Sequence, residues 1–557
     1  MSKGNFYITT PIYYVNDKPH IGHAYTTIAC DVLARFMHLD GYDVKFTTGT
    51  DEHGQKVDKA AKAKGVNPQD FTDEVSKTFR RLVNANDKNA DNGGEGENLL
   101  NISNDDFIRT TEQRHKKAAQ ELWRRIEDNG FIYKDNYGGW YAVRDEAYYQ
   151  ENELIEKDGE KVAPTGAEVE WVEEESYFFK LSAFQQKLLD FYDKHPDFIQ
   201  PESRYNEVVS FVRGGKEFEE GALKDLSISR TTFDWGVDVP DDDNHIMYVW
   251  IDALCNYMTS AGFPDDMDKY TKYWGEIKDG EITQGKAVHF VGKDILRFHA
   301  VYWPAFLMAA ELPLPQKIVA HGWWTIEGEK MSKSIGNVIS PDDLVENYGL
   351  DQVRYFMLRA MPFGNDGDFS RDRLAEVVNA DLANNIGNLA QRVLSMIQKN
   401  CEGKVPDGKL VIDEIFAIIS FYEAPDGSRE TEKVYYTEIF NRFSIAMRTA
   451  NYYSALNDLC LLGGCANSYI DYHAPWTLKK EGNLEKMSVV LYSLAEAIRR
   501  ISIMLQPFCP DAAGKILDQL SVPEKERMFK HLTEKYALKS GTKLPKPEGV
   551  FPRIDVS

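Results

Sequence analysis

Two histidines three residues apart, His20 and His23, stand where a helix is predicted to begin. At that spacing both side chains share one face of the helix, so the two imidazoles can donate to the same group. The amides and the dipole of a helix N-terminus favour phosphate there. Gly22 lies between them and lets a ligand approach the backbone. The set is suited to stabilising negative charge on phosphate oxygens, although spacing alone also fits core or surface packing.

Two lysines form a second set of charged residues about 310 positions later, in the run Lys330-Met331-Ser332-Lys333-Ser334. Glycines and serines on both sides predict a loop. Lysines on such a loop can pair with phosphate groups, and the loop can close over a ligand and open after reaction. On its own, the run is also consistent with a solvated turn.

The elements around the histidine pair predict a parallel α/β unit. Residues 6–10 have the pattern of a buried strand, residues 11–19 form a loop, residues 21–38 a helix and residues 43–47 a second strand. Such sheets bind ligands at the carboxyl ends of their strands. The histidine pair follows the first strand, which is the position where this rule places a ligand.

The remaining chain predicts an insertion and a helical region. Residues 112–232 are rich in aromatics and short mixed elements, and the α/β pattern resumes at 247–250 and 287–291. Apolar residues recur at helical spacing in 382–397, 443–462 and 489–505. The expected fold class is therefore α/β, a Rossmann-type nucleotide-binding domain split by a small insertion and followed by an all-α domain.

Composition narrows the class of protein. The chain has 557 residues, which suggests three or four domains. No run approaches the roughly 18–20 apolar residues that a membrane span requires, and no basic start precedes an apolar run. No membrane association and a cytosolic location are therefore expected, although an organellar protein given without its presequence would look the same. The net charge of −23 argues against nucleic-acid binding over the whole surface, but a local basic face would suffice.

The two motifs, in this order, resemble the signatures of class I aminoacyl-tRNA synthetases, and several further runs are similar to the methionyl-tRNA synthetase family. The resemblance extends from residue 6 to about residue 510 and is carried by the runs Pro11-Ile12-Tyr13-Tyr14-Val15-Asn16, Thr48-Gly49-Thr50-Asp51-Glu52-His53-Gly54, Tyr248-Val249-Trp250-Ile251-Asp252-Ala253 and Arg297-Phe298-His299. It implies catalytic roles for His20, His23, Lys330 and Lys333. The implied ATP-binding residues are His20, Gly22, His23, Gly292, Asp294, Lys330, Ser332 and Lys333, with Asp294 on the ribose.

The resemblance also implies a pocket for L-methionine. Asp51 matches the carboxylate that pairs with the ammonium group of the substrate. The residues that match the wall around the thioether are Ile12, Tyr14, Trp250, Ala253, Leu254, Tyr257, Phe298 and His299. Aromatic and aliphatic groups suit a polarisable sulfur, and Tyr257 and His299 are expected to offer it weak hydrogen bonds. Spacing alone would also allow Trp250 and Tyr257 to be ordinary core aromatics.

The insertion bears on both specificity and metal content. Synthetases for branched aliphatic residues carry a large editing domain, whereas this insertion has only about 120 residues, which disfavours isoleucine, valine and leucine as substrates. Homocysteine remains the expected near-cognate amino acid. Many relatives bind zinc through cysteines of this connective domain, but no cysteine lies between Cys30 and Cys255. We therefore predict no structural zinc there.

The helical region resembles the family's reader of the CAU anticodon. Asn384, Asn388 and Arg392 step by four along one helix face, and Trp476 follows in a second segment. The resemblance implies that Trp476 stacks on an unstacked base while the helix residues contact base edges. For these residues alone, an Asn-rich face and a buried tryptophan would also fit. The chain ends soon after this region, so a monomer is expected.

The resemblance implies a methionine–tRNA ligase that uses ATP with Mg²⁺. It would form methionyl-adenylate, release pyrophosphate and transfer methionine to the 3′ end of initiator and elongator tRNA(Met). Two alternatives are a small-molecule adenylyltransferase, which would not need the helical domain, and a non-catalytic tRNA-binding paralogue, which would have lost a signature residue.

The expected domain boundaries are 1–111 and 233–322 for the Rossmann halves, with a polar insertion at 84–98, then 112–232 for the connective insertion, 323–375 for the linking domain and 376–557 for the anticodon-binding domain.

Overall fold

A computed structural model describes residues 2–15, 18–83, 97–145, 147–149, 151–157, 159–277, 283–330, 338–416, 418–423 and 429–555. The chain forms two compact units. The sheet unit comprises residues 4–30 and 44–321, and the helical unit comprises residues 1–3, 31–43 and 322–557. Most of the polar insertion predicted at 84–98 lies outside the described residues.

Both strands and helices occur throughout the chain up to residue 321. In chain order they are β1 (Asn5–Thr9), β2 (Tyr13–Tyr14), α1 (Ile21–Leu39), β3 (Asp43–Asp51), α2 (Gln55–Lys64), α3 (Pro68–Arg80), β4 (Asp106–Arg109), α4 (Gln113–Asp128), β5 (Ile132–Ala142), β6 (Ala147–Tyr149), β7 (Ile155–Lys157), β8 (Glu160–Val162), β9 (Glu170–Phe179), α5 (Gln185–Lys194), β10 (Ile199–Gln200), α6 (Glu202–Arg213), β11 (Leu226–Ser227), β12 (Ser229–Arg230), β13 (Asp238–Val239), β14 (Asp242–Met247), α7 (Val249–Leu254), α8 (Asn256–Ala261), α9 (Met267–Tyr273), β15 (Ala287–Gly292), α10 (Trp303–Ala309) and β16 (Lys317–His321). A π-helical turn, Phe298–Tyr302, leads directly into α10.

The rest of the chain is mainly helical. Its elements are β17 (Trp324–Ile326), β18 (Glu329–Lys330), α11 (Pro341–Tyr348), α12 (Leu350–Arg359), β19 (Gly367–Phe369), α13 (Arg371–Val378), α14 (Asn388–Asn400), α15 (Ile412–Ile415), β20 (Ile418–Glu423), β21 (Arg429–Val434), α16 (Tyr436–Arg448), α17 (Tyr452–His473), α18 (Pro475–Lys480), α19 (Leu484–Leu505) and α20 (Pro510–Gln519). A second π-helical segment, Asn379–Gly387, connects α13 to α14. No helix in the described ranges is long and apolar enough to cross a lipid bilayer.

The central sheet of the sheet unit contains seven of the described strands. Its order is β10-β16-β15-β1-β3-β2, and β4 pairs with β3. The pairs β1–β15, β15–β16, β10–β16, β2–β3 and β3–β4 are all parallel. Strands β5, β6, β9 and β11 form a separate antiparallel sheet within the region that the sequence predicts as an insertion. The predicted fold class is therefore confirmed.

Helix α4 illustrates how the sequence builds the core of this unit. Its apolar residues recur at helical spacing, so one face of the helix is buried while charged residues cover the other. The buried set is Ala118, Ala119, Leu122, Trp123 and Ile126. By contrast, α1 is apolar and buried on nearly all sides, as expected of a helix enclosed by the protein.

One local prediction is wrong, and one predicted helical pattern is divided between two helices. Residues 247–250 were expected to resume the Rossmann-type α/β pattern, but Met247 ends the antiparallel strand β14 and Trp250 lies on helix α7. The helical pattern at 443–462 belongs to two helices, α16 and α17, because the chain turns at Ala450, whose φ of 53° is incompatible with a continuous helix.

Candidate active site

The histidine pair caps the N-terminus of α1. The backbone N–H of His20 donates to Nδ1 of His23 at 3.0 Å, and the N–H of Gly22 donates to Nδ1 of His20 at 3.1 Å. The two imidazole centroids are 3.9 Å apart. The N-terminal amides of this helix were expected to bind a phosphate. Two backbone N–H groups here donate to the histidine side chains instead, which satisfies donors that a helix start leaves free.

These hydrogen bonds fix the protonation of both rings. Because each Nδ1 accepts a backbone N–H, the proton of each neutral imidazole lies on Nε2. Burial lowers the pKa of His20, and burial together with the neighbouring His20 lowers the pKa of His23 well below its ordinary value. Near neutral pH the pair is therefore uncharged and carries one Nε2–H donor on each ring.

Two of the predicted nucleotide-binding glycines lie close to the side chains of other predicted site residues. A Cβ atom on Gly22 would lie 2.9 Å from Cε1 of His20, so a side chain there would displace the imidazole. A Cβ atom on Gly292, at the end of β15, would lie 2.4 Å from Oδ1 of Asp294. Asp294 itself is exposed and follows the carboxyl end of that central strand.

Four residues of the predicted wall around a thioether form a connected cluster of rings. The rings of Trp250 and Phe298 stack with centroids 3.7 Å apart and an interplanar angle of 6°. The ring of His299 meets that of Trp250 edge-on at 6.2 Å, and it lies tilted against the ring of Tyr257 at 5.7 Å. The π-helical turn Phe298–Tyr302 presents two of these residues, as such turns often do at functional sites. Four of the predicted residues are buried, namely Ala253, Leu254, Tyr257 and His299.

Tyr257 and His299 form a directed hydrogen-bond chain. Nδ1 of His299 lies 2.9 Å from the carbonyl oxygen of Ile295 and must donate to it, which leaves Nε2 as an acceptor. The hydroxyl of Tyr257, 2.6 Å away, therefore donates to Nε2. Burial lowers the pKa of His299 to about 4, so the ring is neutral. Both polar hydrogens are thus engaged within the protein, which differs from the expectation that they donate to a sulfur.

Asp51 lies at the carboxyl end of β3, beside the predicted pocket residue Tyr14. The two residues are partners in the β2–β3 pair, and the carbonyl oxygen of Asp51 accepts from the N–H of Val15 at 3.1 Å. Ile12 and Tyr14 are half-buried, whereas Asp51 is buried. Asp51 therefore ends a central strand, where the general rule for parallel sheets places a ligand-binding residue.

The lysine loop is described only in part. Lys330 ends β18, which pairs with β17 through a turn at Glu327 and Gly328. Both turn residues have positive φ, 50° and 81°, as a tight hairpin requires. Ser332 and Lys333 lie outside the described residues.

The residues predicted to read an anticodon lie in the helical unit. Asn384 and Asn388 are exposed, the first in the π-helical segment and the second at the start of α14. The guanidinium of Arg392 lies 5.6 Å from the ring centroid of Trp476 and donates to Asp471 at 2.6 Å. Trp476 is 40% exposed, so it is not the buried tryptophan that the sequence also allowed.

Comparisons with known proteins agree on one family. Residues 6–394 match the family model described as tRNA synthetases class I (M), and residues 426–556 match the anticodon binding domain of methionyl tRNA ligase. The chain belongs to the class I methionyl-tRNA synthetases.

Relatives in this family match over their whole length. The methionine–tRNA ligase of Rickettsia felis is 52% identical over 556 residues, 99% of each chain, and that of Brucella suis is 50% identical over 554 residues, 99% of this chain and 98% of the relative. Among solved structures, a Mycobacterium tuberculosis methionyl-tRNA synthetase in complex with methionyl-adenylate is 45% identical, with a TM-score of 0.87 over 99% of this chain and 100% of that one. Its apo form is 42% identical, with a TM-score of 0.81 over 100% of this chain and 99% of that one.

Sequence reasoning missed one part of this synthetase, the residues that hold the segment after Asp51. His53, His115 and Asp252 form a buried hydrogen-bonded set, although they are 199 and 137 residues apart along the chain. An acidic residue at a buried position of a short helix was the available signal, since such a residue normally requires a partner.

Proposed function

We propose that this chain is a methionine–tRNA ligase. It activates L-methionine with ATP to form methionyl-adenylate, releases pyrophosphate and transfers methionine to the 3′ end of tRNA(Met), both initiator and elongator. The observation that carries the first step is the pair of neutral imidazoles of His20 and His23, each with its proton on Nε2. Fixed donors of this kind stabilise charge that develops on phosphate oxygens in the transition state.

Several residues serve the nucleotide in this proposal. The Nε2–H groups of His20 and His23 donate to phosphate oxygens of ATP, and Asp294 accepts the ribose hydroxyls. Gly22 and Gly292 leave room for these groups, and Lys330, Ser332 and Lys333 bind the triphosphate. Mg²⁺ arrives with the nucleotide as part of the substrate. Among the residues that the structure describes, no group of three His, Cys, Asp or Glu side chains is placed to hold a metal ion.

Methionine occupies the aromatic cluster. Asp51 pairs with its ammonium group, while Trp250, Phe298 and their neighbours surround the thioether, which such polarisable groups favour. The hydrogens of Tyr257 and His299 are engaged within the protein, so these two residues do not donate to the sulfur. The relative from M. tuberculosis was solved with methionyl-adenylate, the product of the proposed activation step.

The helical unit recognises the tRNA in this proposal. Asn384, Asn388 and Arg392 contact base edges of the anticodon, and Trp476 stacks on a base. Arg392 is already oriented by Asp471 and by the ring of Trp476. We further propose the five-part domain division given above, a monomer, a cytosolic location and no structural zinc.

The decisive experiment is ATP–pyrophosphate exchange with each of the twenty amino acids in the absence of tRNA. Exchange with methionine alone is expected. Exchange with a different amino acid would contradict the assignment of the pocket around Trp250 and His299. No exchange with any amino acid, together with retained tRNA binding, would favour a non-catalytic paralogue.

A second assay tests the tRNA step. Transfer of methionine to a tRNA with a CAU anticodon, and not to the same tRNA with an altered anticodon, is expected. Adenylate formation without transfer to any tRNA would favour a small-molecule adenylyltransferase.

A further inference from the structure

Trp235 forms hydrogen bonds with the backbone of the segment Asp51–Gly54 and holds it in place. The indole N–H of Trp235 donates to the carbonyl oxygen of Glu52 at 2.6 Å, and the carbonyl oxygen of Trp235 accepts from the N–H of Gly54 at 3.1 Å. The ring of Trp235 also meets the imidazole of His53 edge-on at 5.5 Å. The side chain of Trp235, from a distant part of the sequence, thus contacts Glu52 and His53, and its backbone carbonyl contacts Gly54.

Glu52 anchors one side of the segment. Its side chain is fully buried, and its Oε1 accepts from the hydroxyl of Thr50 at 2.8 Å and from Nε of Arg109 at 2.7 Å. Arg109 also pairs with Asp73 on α3. A buried carboxylate with this number of donors is strongly held, because each donor offsets part of the free-energy cost of burying the charge.

Asp252 anchors the other side of the segment. Its two carboxylate oxygens lie 2.7 Å from Nδ1 of His53 and 2.7 Å from Nε2 of His115, and all three side chains are buried. Burial by itself raises the pKa of Asp252, but His53 and His115 outweigh this effect and hold the pKa below its ordinary value. The carboxylate is therefore ionised, and each imidazole donates one N–H to it.

The position of Asp252 connects two parts of the methionine pocket. Asp252 lies on α7 between Trp250 and Ala253, which line the pocket, and its partner His53 lies two residues after Asp51. We propose that Asp252 is a positioning residue for the amino acid substrate, because it fixes the distance between the carboxylate that binds the ammonium group and the wall that binds the side chain. This inference rests on the proposed function. A displacement of about 1 Å at such a site is enough to weaken binding or catalysis substantially.

The variant Asp252→Asn tests the proposal with little change in shape. An amide oxygen can accept from only one of the two imidazoles. If His53 is the one that loses its acceptor, its proton must move to Nε2, which is buried and has no hydrogen-bond partner. We therefore expect the segment that carries Asp51 to shift relative to α7.

The measurement compares two ligands that differ only in the ammonium group. Methioninol carries the ammonium, and 4-(methylthio)butan-1-ol lacks it; the dissociation constant of each is obtained from its inhibition of methionine-dependent exchange. In Asp252→Asn, the dissociation constant of methioninol should rise by about 10-fold or more, while that of the alcohol should change by less than about 2-fold. Equal weakening of both ligands would indicate a general loss of the pocket, and no weakening of either would also overturn the proposal.

Conservative variants separate positioning from folding. His53→Asn retains a donor near the position of Nδ1 and should behave like the wild type, whereas His53→Leu should reproduce the selective loss. Asp106→Asn is the matched control, since Asp106 is also buried but pairs with Arg114 and Ser260. If the wild-type protein did not bind methioninol, the proposed function would be contradicted. If Asp252→Asn and His53→Leu bound methioninol as tightly as the wild type, only the positioning role would be contradicted.

Discussion

The hydroxyl of Tyr257 donates to Nε2 of His299 across 2.6 Å, in a part of the sheet unit where both side chains are almost completely buried. The direction of this bond is fixed by a second one, from Nδ1 of His299 to the carbonyl oxygen of Ile295. The hydrogen-bonding groups of Tyr257 and His299 are therefore paired within the protein. In the proposed methionine site, we expect selectivity for the thioether to depend on shape and polarisability more than on hydrogen bonds from these two residues.

Replacing Tyr257 by phenylalanine should destabilise the protein. The change leaves a buried acceptor on His299 without a donor, which costs about 1–3 kcal/mol in the free energy of unfolding. Denaturant unfolding of both proteins measures this cost. Tyr270→Phe is the matched control, since Tyr270 is equally buried but its hydroxyl contacts the sulfur of Met258 at 3.7 Å. Equal destabilisation by the two variants would contradict the assigned hydrogen bond.

Replacing His23 by asparagine should slow methionine-dependent exchange by roughly 100-fold or more. Asparagine can still accept the backbone N–H of His20 through its oxygen, but it lacks a donor at the position of Nε2. His23→Gln places an amide donor near that position and should lose less activity. If the two variants were equally active, the donor on Nε2 would have no role in the reaction.

The stability of the helical unit should depend on the ionisation of Asp351. Burial raises the pKa of this carboxyl to about 6 in the folded protein, whereas an unfolded chain has an aspartate pKa of about 3.9. Because the pKa is raised on folding, the contribution of Asp351 to the free energy of unfolding is complete below about pH 4. It is lost as the pH rises to about 6, which lowers the free energy of unfolding by about 3 kcal/mol.

Asp351→Asn should remove this pH dependence. The amide oxygen can still accept from the N–H of Ala512, the bond that the carboxylate makes at 2.6 Å. The measurement is the difference in unfolding free energy between wild type and variant at pH 4 and at pH 7. Asp372→Asn, which replaces an exposed carboxylate in the same unit, should leave the slope unchanged. A slope that persists in Asp351→Asn would contradict the prediction.

Replacing Trp476 by alanine should separate the two steps of the reaction. Exchange without tRNA should stay within about 2-fold of wild type, while kcat/KM for transfer to tRNA should fall by about 10-fold or more, since one stacked base contributes about 1–3 kcal/mol. Leu484→Ala removes another exposed apolar side chain, 55% exposed, and should affect neither step. Equal loss of both activities in Trp476→Ala would indicate misfolding instead of a role in tRNA binding.

Protein purified without chelators should contain less than one equivalent of zinc. No cysteine lies between Cys30 and Cys255, so the connective region lacks the thiolates that structural zinc sites use. Elemental analysis measures the content directly, and dialysis against a chelator should leave the unfolding temperature unchanged. Stoichiometric zinc that is lost together with stability would contradict this prediction.

The sequence predicted the elements with a strong periodic pattern. The first strand, the helix after the histidine pair and the strand leading to Asp51 were each found within a few residues of their predicted bounds. The run 247–250 was assigned wrongly because a short apolar segment has no period that distinguishes a strand from a helix. The break at Ala450 was missed because apolar spacing continues on both sides of it.

Candidate site residues were found by their motifs, but the contacts between them were not. Nothing in the spacing of His20 and His23 shows that their Nδ1 atoms accept backbone N–H groups, because that depends on the local path of the chain. The partners of Asp252 could not be inferred either, since hydrogen bonds between residues 137 and 199 positions apart leave no periodic signal in the sequence.

The contact between Trp235 and the residues after Asp51 has a consequence for biosynthesis. A nascent chain must extend at least to Trp235 before Glu52 and Gly54 gain these partners, and to Asp252 before His53 does. Bringing together residues that are so far apart in the sequence costs loop-closure entropy. Long-range contacts offset this cost only late in folding. During translation, the segment Asp51–Gly54 therefore gains these contacts only after most of the sheet unit has been synthesised.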